Sequence, residues 1–177
     1  MAKRQTRAQL VVTAYHEAGH AVVAFHLDIG IRRKGVTIVP DHDEGNLGCC
    51  WTKLGFRGRP DVEITNTMHV LLERRIVVFL AGEHAQRKYR LSSVRSYHAD
   101  SDRRNAVDLL SYLVPDVTGE EFRLHYKLLS LRAKNMVEVR WPQIVAVANL
   151  LVERKTLTPD EVRKVIVYGT DPNRWGM

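Results

Sequence analysis

Five consecutive residues could act together chemically: His16-Glu17-Ala18-Gly19-His20, which fits the pattern H-E-x-x-H. On a helix, two histidines four residues apart project from one face, about one turn apart. That separation lets two imidazole nitrogens reach one zinc ion at about 2.0–2.1 Å each. Glu17 points about 100° further round the helix, off the metal, where it can take a proton from a neighbouring water. A catalytic zinc holds three protein ligands, keeps one position for water and lowers that water's pKa to about 7. The pattern points to hydrolysis, with His16 and His20 as ligands and Glu17 as general base.

A third ligand has to come from elsewhere. His26 follows His20 by six residues, but Val23 stands where a chain-reversing glycine would be needed. On a continuous helix His26 is rotated about 240° from His20. Glu44 falls in an expected loop. His98, Asp100 and Asp102 cluster where a helix is expected to begin, and spacing leaves all three open. The ordinary role of an aspartate there is capping. Gly19, inside the metal helix, costs about 1 kcal/mol relative to alanine, so a close approach by another backbone is expected to explain it.

The elements that must carry these groups follow from periodicity and punctuation. Val11, Tyr15, Ala18, Val22 and Phe25 form an apolar stripe and predict a helix over residues 6–27, ended by Gly30, with the histidine face turned to a cleft. Val36-Thr37-Ile38-Val39, closed by Pro40, and residues 47–53 read as a pair of strands. A long helix over 61–89 turns Met68, Leu72, Ile76, Phe79 and Leu80 inward. Residues 90–99 lack periodicity, and a helix over 100–113 ends at Val114-Pro115-Asp116. Thr118 to Glu121 reads as a capping box opening a helix to 139. Pro142 suits the first turn of another, ending near 154, and Thr158 to Glu161 caps a last one over 159–167. The predicted class is α+β, mostly helical, with a minor sheet.

Composition sets bounds. The chain has 177 residues, enough for one domain with a hydrophobic core. No run approaches eighteen apolar residues, and no apolar signal core follows Met1-Ala-Lys-Arg-Gln-Thr-Arg, so a cytoplasmic protein is expected. The two cysteines, Cys49 and Cys50, are adjacent, which excludes a disulfide framework and a cysteine zinc knuckle. They are expected as reduced thiols on opposite faces of a strand. The net charge of +7 comes from small clusters such as Arg32-Arg33-Lys34 and Arg103-Arg104. Without aromatic interleaving, these read as a solvated surface rather than a nucleic-acid site.

Several segments together carry a resemblance. Thr13-Ala-Tyr-His-Glu-Ala-Gly-His-Ala-Val-Val-Ala24, Val36-Thr-Ile-Val-Pro40, Leu47-Gly48, Leu80-Ala-Gly82, Ala99-Asp-Ser-Asp102 and Ala148-Asn-Leu-Leu-Val-Glu-Arg-Lys-Thr-Leu157 stand in one order along the chain. In that order they resemble the peptidase domain of the FtsH-type ATP-dependent zinc proteases. The resemblance implies a zincin-like metal helix, a small β-ribbon or sheet and a C-terminal helical bundle. It implies one domain over 1–177, with the metal-site region at about 6–115 and the helical part at 116–170. It also implies one zinc per chain, held by His16, His20 and Asp102, with Ala106 falling on an alanine of the following helix. The strand bearing Leu47, Gly48, Cys49 and Cys50 would pair with extended substrate backbone. A polypeptide substrate, a separate AAA ATPase partner and a homo-oligomer are its further implications.

The chain departs from the pattern in three places. No G-x-x-x-x-G-K-[ST] occurs in these residues, and no membrane segment does. The family's Ala-Ala-Glu-Glu after the glycine turn is here His84-Ala-Gln86-Arg87. Gln86 can accept a hydrogen bond from a ligand histidine but brings no charge. The leading expectation is a zinc endopeptidase acting on unfolded or flexible polypeptide. The competing classes are a catalytically inactive zinc-binding module that docks on a partner, and a basic nucleic-acid-binding protein.

Overall fold

The computed structural model describes residues 6–40, 48–52, 60, 63–93, 96–169 and 171, with side chains in the helix after residue 96 from Ser101 onward. It is predominantly helical, as expected. The elements are α1 (Arg7–His26), β1 (Ile31–Thr37), β2 (Cys49–Thr52), α2 (Asn66–Tyr89), a 3-10 turn (Leu91–Ser93), α3 (Ser96–Leu113), α4 (Glu120–Val139), α5 (Trp141–Arg154), β3 (Thr156–Leu157) and α6 (Pro159–Tyr168).

Helix α1 begins where Thr6 caps it: the Thr6 hydroxyl accepts from the Gln9 amide, and the Gln9 side chain reaches back to the Thr6 N–H. It does not end at Gly30. The left-handed turn is taken by Asp28, at φ 58°, so that the Ile29 N–H reaches the Ala24 carbonyl at 2.9 Å and buries Ile29. Nor does α1 show only a stripe to the core. Every residue from Thr13 to Ala24 is buried, because α2, α5 and the sheet surround it. The histidine face is itself almost wholly buried, and what remains exposed of it borders a cavity.

The sheet has three antiparallel strands in the order β2-β1-β3. β1 starts five residues earlier than expected and stops at Thr37, while Val39 lies beyond it. Its register shifts between Ile31 and Val36, where Gly35 takes φ 75° beneath Leu157. β3, two residues between α5 and α6, was not expected. It is too short for periodicity to reveal.

Three helix boundaries also differ. α2 begins at Asn66 rather than 61, where Thr65 accepts from the Met68 amide. α3 begins at Ser96 rather than 100, so the backbone at His98 is helical and not a loop. The expected Thr118 cap is not formed: Gly119 is the N-cap of α4, and Thr118 donates instead to Asp116 Oδ1 at 2.9 Å. Thr158 does form its capping box, with Pro159 opening α6. One hydrophobic core draws on all six helices, with Val22, Ile76, Leu110, Leu129, Ile144 and Val165 among its members. Among the described residues no helix is long and apolar enough to cross a membrane.

Candidate metal centre

The centre is built on a close pairing of α1 with α2. Gly19 permits it. A Cβ at Gly19 would stand 2.6 Å from Ala85 Cβ and 2.8 Å from the Ala81 carbonyl oxygen, so α2 approaches as only a glycine allows. The favour is returned at Gly82 on α2, where a Cβ would collide with the His20 ring and sit 2.9 Å from His16 Cε1. The two imidazoles thus occupy room vacated by a helical glycine opposite them.

Both rings are pinned by their Nδ1 atoms. His20 Nδ1–H donates to the Val78 carbonyl at 2.7 Å, and His16 Nδ1–H donates to Gln86 Oε1 at 3.1 Å. In the neutral rings, these bonds leave each Nε2 with a lone pair. The two Nε2 atoms stand 3.0 Å apart, and Asp102 Oδ2 lies 2.9 Å from one and 3.1 Å from the other. Three acceptors thus converge on one point. That arrangement is repulsive unless a positive charge lies between them, and one proton can bridge only part of it.

The set fits zinc. At bond lengths of about 2.0–2.1 Å, tetrahedral ligands stand roughly 3.3–3.4 Å apart, so these atoms need to open by only a few tenths of an ångström. Two neutral imidazoles and one carboxylate form a donor set for a borderline-soft divalent ion, with each imidazole oriented by a second hydrogen bond. The electrostatics agree. Burial works against an imidazolium at His20, but the charge and hydrogen bond of Asp102, the Glu17 charge and the Val78 carbonyl outweigh it and hold its pKa at about 9. Burial likewise opposes ionised Asp102, yet the two histidines keep its carboxyl far below the usual range. The site strongly favours positive charge at its centre.

Glu17 lies beside the cluster but outside it, 6% exposed. Burial pushes its pKa up, His16 and His20 pull it down, Asp102 pushes it up and the Cys50 backbone bond pulls it down, with a net rise. Gly48 gives Glu17 its place: a Cβ there would be 3.0 Å from Glu17 Oε1 and 2.7 Å from Thr13 Cγ2. The group borders a cavity of about 230 Å³, also lined by Gly48, Cys49, Cys50, Val78, Phe79 and Asn105.

The structure therefore brings together His16, Glu17, His20 and Asp102, with Gly48, Cys49 and Cys50 on the cavity wall. Leu47 and Glu44 lie outside the described residues. His26 is not part of the cluster and pairs with Gln143 Oε1 at 2.7 Å. Asp100 and His98 share α3 with Asp102, and their side chains are not described. Both cysteines are half-buried and unbridged. Sequence reasoning missed Val78, whose carbonyl leaves no signal in a side chain. It also missed the Glu83–Arg103 pair beside Asp102, where Arg103 Nε and Nη2 meet the Glu83 carboxylate at 2.8 and 2.6 Å.

No protein-family profile matches the chain. Among curated proteins it is similar to the ATP-dependent zinc metalloprotease FTSH 9, chloroplastic/mitochondrial, of Oryza sativa subsp. japonica, with 28% identity over 180 residues. The match covers 89% of this chain and 22% of that protein, so the chain spans about a fifth of its relative's length. At that identity the match suggests no more than a distant relation to the FtsH family.

Proposed function

We propose that the chain is a zinc-dependent peptidase domain that hydrolyses peptide bonds in unfolded or flexible polypeptide. The observation that carries the reading is the convergence of three lone-pair donors, His16 Nε2, His20 Nε2 and Asp102 Oδ2, within 2.9–3.1 Å of one another beside a buried carboxylate that is not one of them. A site of structural use only has no need of that fourth group. The shared hydrophobic core supports a single domain over residues 1–177.

His16, His20 and Asp102 would hold the metal. When bound, zinc acts as a Lewis acid that activates water and polarises the scissile carbonyl. Glu17 takes the water's proton on its carboxylate and delivers it to the leaving amine. Burial raises its pKa, which supports holding that proton between the two steps. β2 is an edge strand of the sheet and Gly48, Cys49 and Cys50 line the cavity, which supports pairing of extended substrate backbone along this edge. A cavity of about 230 Å³ suits an extended segment better than a folded surface, so a folded target would need an unfoldase. The similar rice protein is named as ATP-dependent, which supports an ATPase in that role.

The test is zinc content and digestion of an unfolded protein. Wild type should hold about one zinc per chain and digest casein. Glu17→Gln should hold the same zinc and lose digestion, because an amide cannot take the proton. Undiminished digestion by Glu17→Gln, or wild type that takes up no zinc, would sink the reading.

A further inference from the structure

Asp102 reaches the cluster from a different helix than the histidines, so its placement depends on how α3 is held. α3 lies chiefly against α2 and only lightly on α4. The apolar anchors on the Asp102 face are Ala106 and Leu110, both fully buried, one and two turns after it. Close to Asp102 the tie is polar. Arg103 forks onto Glu83 of α2 with two hydrogen bonds, and Arg87 closes on the same carboxylate at 2.5 Å. The Glu83 side chain is 12% exposed, and it sits one residue after Gly82, the residue that makes room for the imidazoles.

We infer that Glu83 and Arg103 are positioning residues that set the distance between Asp102 and the two histidines, and so set zinc affinity. The inference rests on the zinc reading given above. A two-point fork fixes orientation as well as separation, which a single ion pair does not. With Glu83 next to Gly82 and Arg103 next to Asp102, the fork couples the helix that makes room for His16 and His20 to the helix that supplies the carboxylate. Rotation or sliding of α3 on α2 would have to break it.

α2 carries a second clamp of like construction that serves as a control. Glu73 takes bonds from His125 and Arg132 of α4 at 2.9 Å each, away from the centre. The experiment measures zinc affinity by competition with a chromophoric chelator, alongside apoprotein melting, for wild type, Glu83→Gln, Arg103→Leu, the double variant and Glu73→Gln. Glu83→Gln and Arg103→Leu should each weaken zinc roughly tenfold, the scale of lost support around a metal site. The double variant should be no weaker than the worse single one. Glu73→Gln should lower the melting temperature and leave zinc affinity within about twofold of wild type. Should Glu83→Gln not fold, Arg103→Leu, altered at a half-exposed side chain, carries the test. Zinc affinity unchanged in a folded Glu83 or Arg103 variant overturns the inference while the zinc reading stands. An equal loss in Glu73→Gln also overturns it, because the effect would then be one of general stability. Wild type without zinc affinity removes the reading and the inference together.

Discussion

Gly82→Ala separates the candidate metal centre from the fold that holds it. The added methyl would overlap His20 and come within 2.9 Å of His16 Cε1, so the rings and not the backbone must yield. Overpacking of this kind costs about 1–3 kcal/mol. Alanine returns about 1 kcal/mol as the better helix former. The net cost to the metal-free fold is then roughly 0–2 kcal/mol, which for a chain of this size lowers the melting temperature by at most about 8 °C. The zinc consequence is larger. His20 cannot move away without giving up its 2.7 Å bond to Val78, and the Nε2 atoms are displaced from their common point. Gly19→Ala supplies the contrast. Its methyl meets Ala85 Cβ at 2.6 Å and backbone at Ala81, so the helices themselves must part and the fold bears the cost. The assays are melting of chelator-treated protein and zinc stoichiometry after dialysis against about one equivalent per chain. Gly82→Ala should fold and lose zinc, whereas Gly19→Ala should melt well below it. A folded Gly82→Ala that binds zinc like wild type would refute the packing argument for the centre.

Two further outcomes follow from the electrostatics. Burial, then the charges of Glu17, Cys49 and Asp102, push the Cys50 thiol well above its usual pKa. Iodoacetamide at pH 8 should therefore alkylate Cys50 at least about tenfold more slowly in native than in denatured protein, as peptide mass mapping would read; equal rates would contradict its placement. At Glu73, burial raises the pKa, but the hydrogen bonds and charges of His125 and Arg132 outweigh it and leave the carboxyl lowered. A lowered folded pKa contributes stability above the unfolded value near 4.5, lost as pH falls through the folded one. Denaturant melts of wild type and Glu73→Gln should thus converge as pH falls from neutral to below that unfolded value, and a constant gap would count against the clamp.

The parts of this site written in local spacing were legible in the sequence. His16, Glu17 and His20 are fixed by helical geometry alone, and the Pro142 and Thr158 signals mark real helix starts. Signals that a neighbouring residue could also satisfy were misread. Asp28 took the left-handed turn assigned to Gly30, and Asp116 captured the Thr118 hydroxyl before it could cap α4. Burial of the histidine face escaped notice because small residues around His16 and His20, namely Ala14, Gly19 and Ala21, read as weakly apolar in a periodicity count. They are what closely packed helices require.

Delivery of the third group is the deeper case. Spacing could not choose among His98, Asp100 and Asp102, because nothing local relates α3 to α1. That relation passes through α2, whose Gly82 receives the imidazoles and whose Glu83 grips the residue beside Asp102. Gln86, one turn further on, orients His16 through a neutral amide. Four positions on one helix, Val78, Gly82, Glu83 and Gln86, thus organise a centre to which that helix supplies none of the three converging atoms. A reading that looks only for residues able to bind a metal passes over α2 entirely. A reading that asks what holds the rings, makes room for them and fixes the distance to the carboxylate finds α2 first.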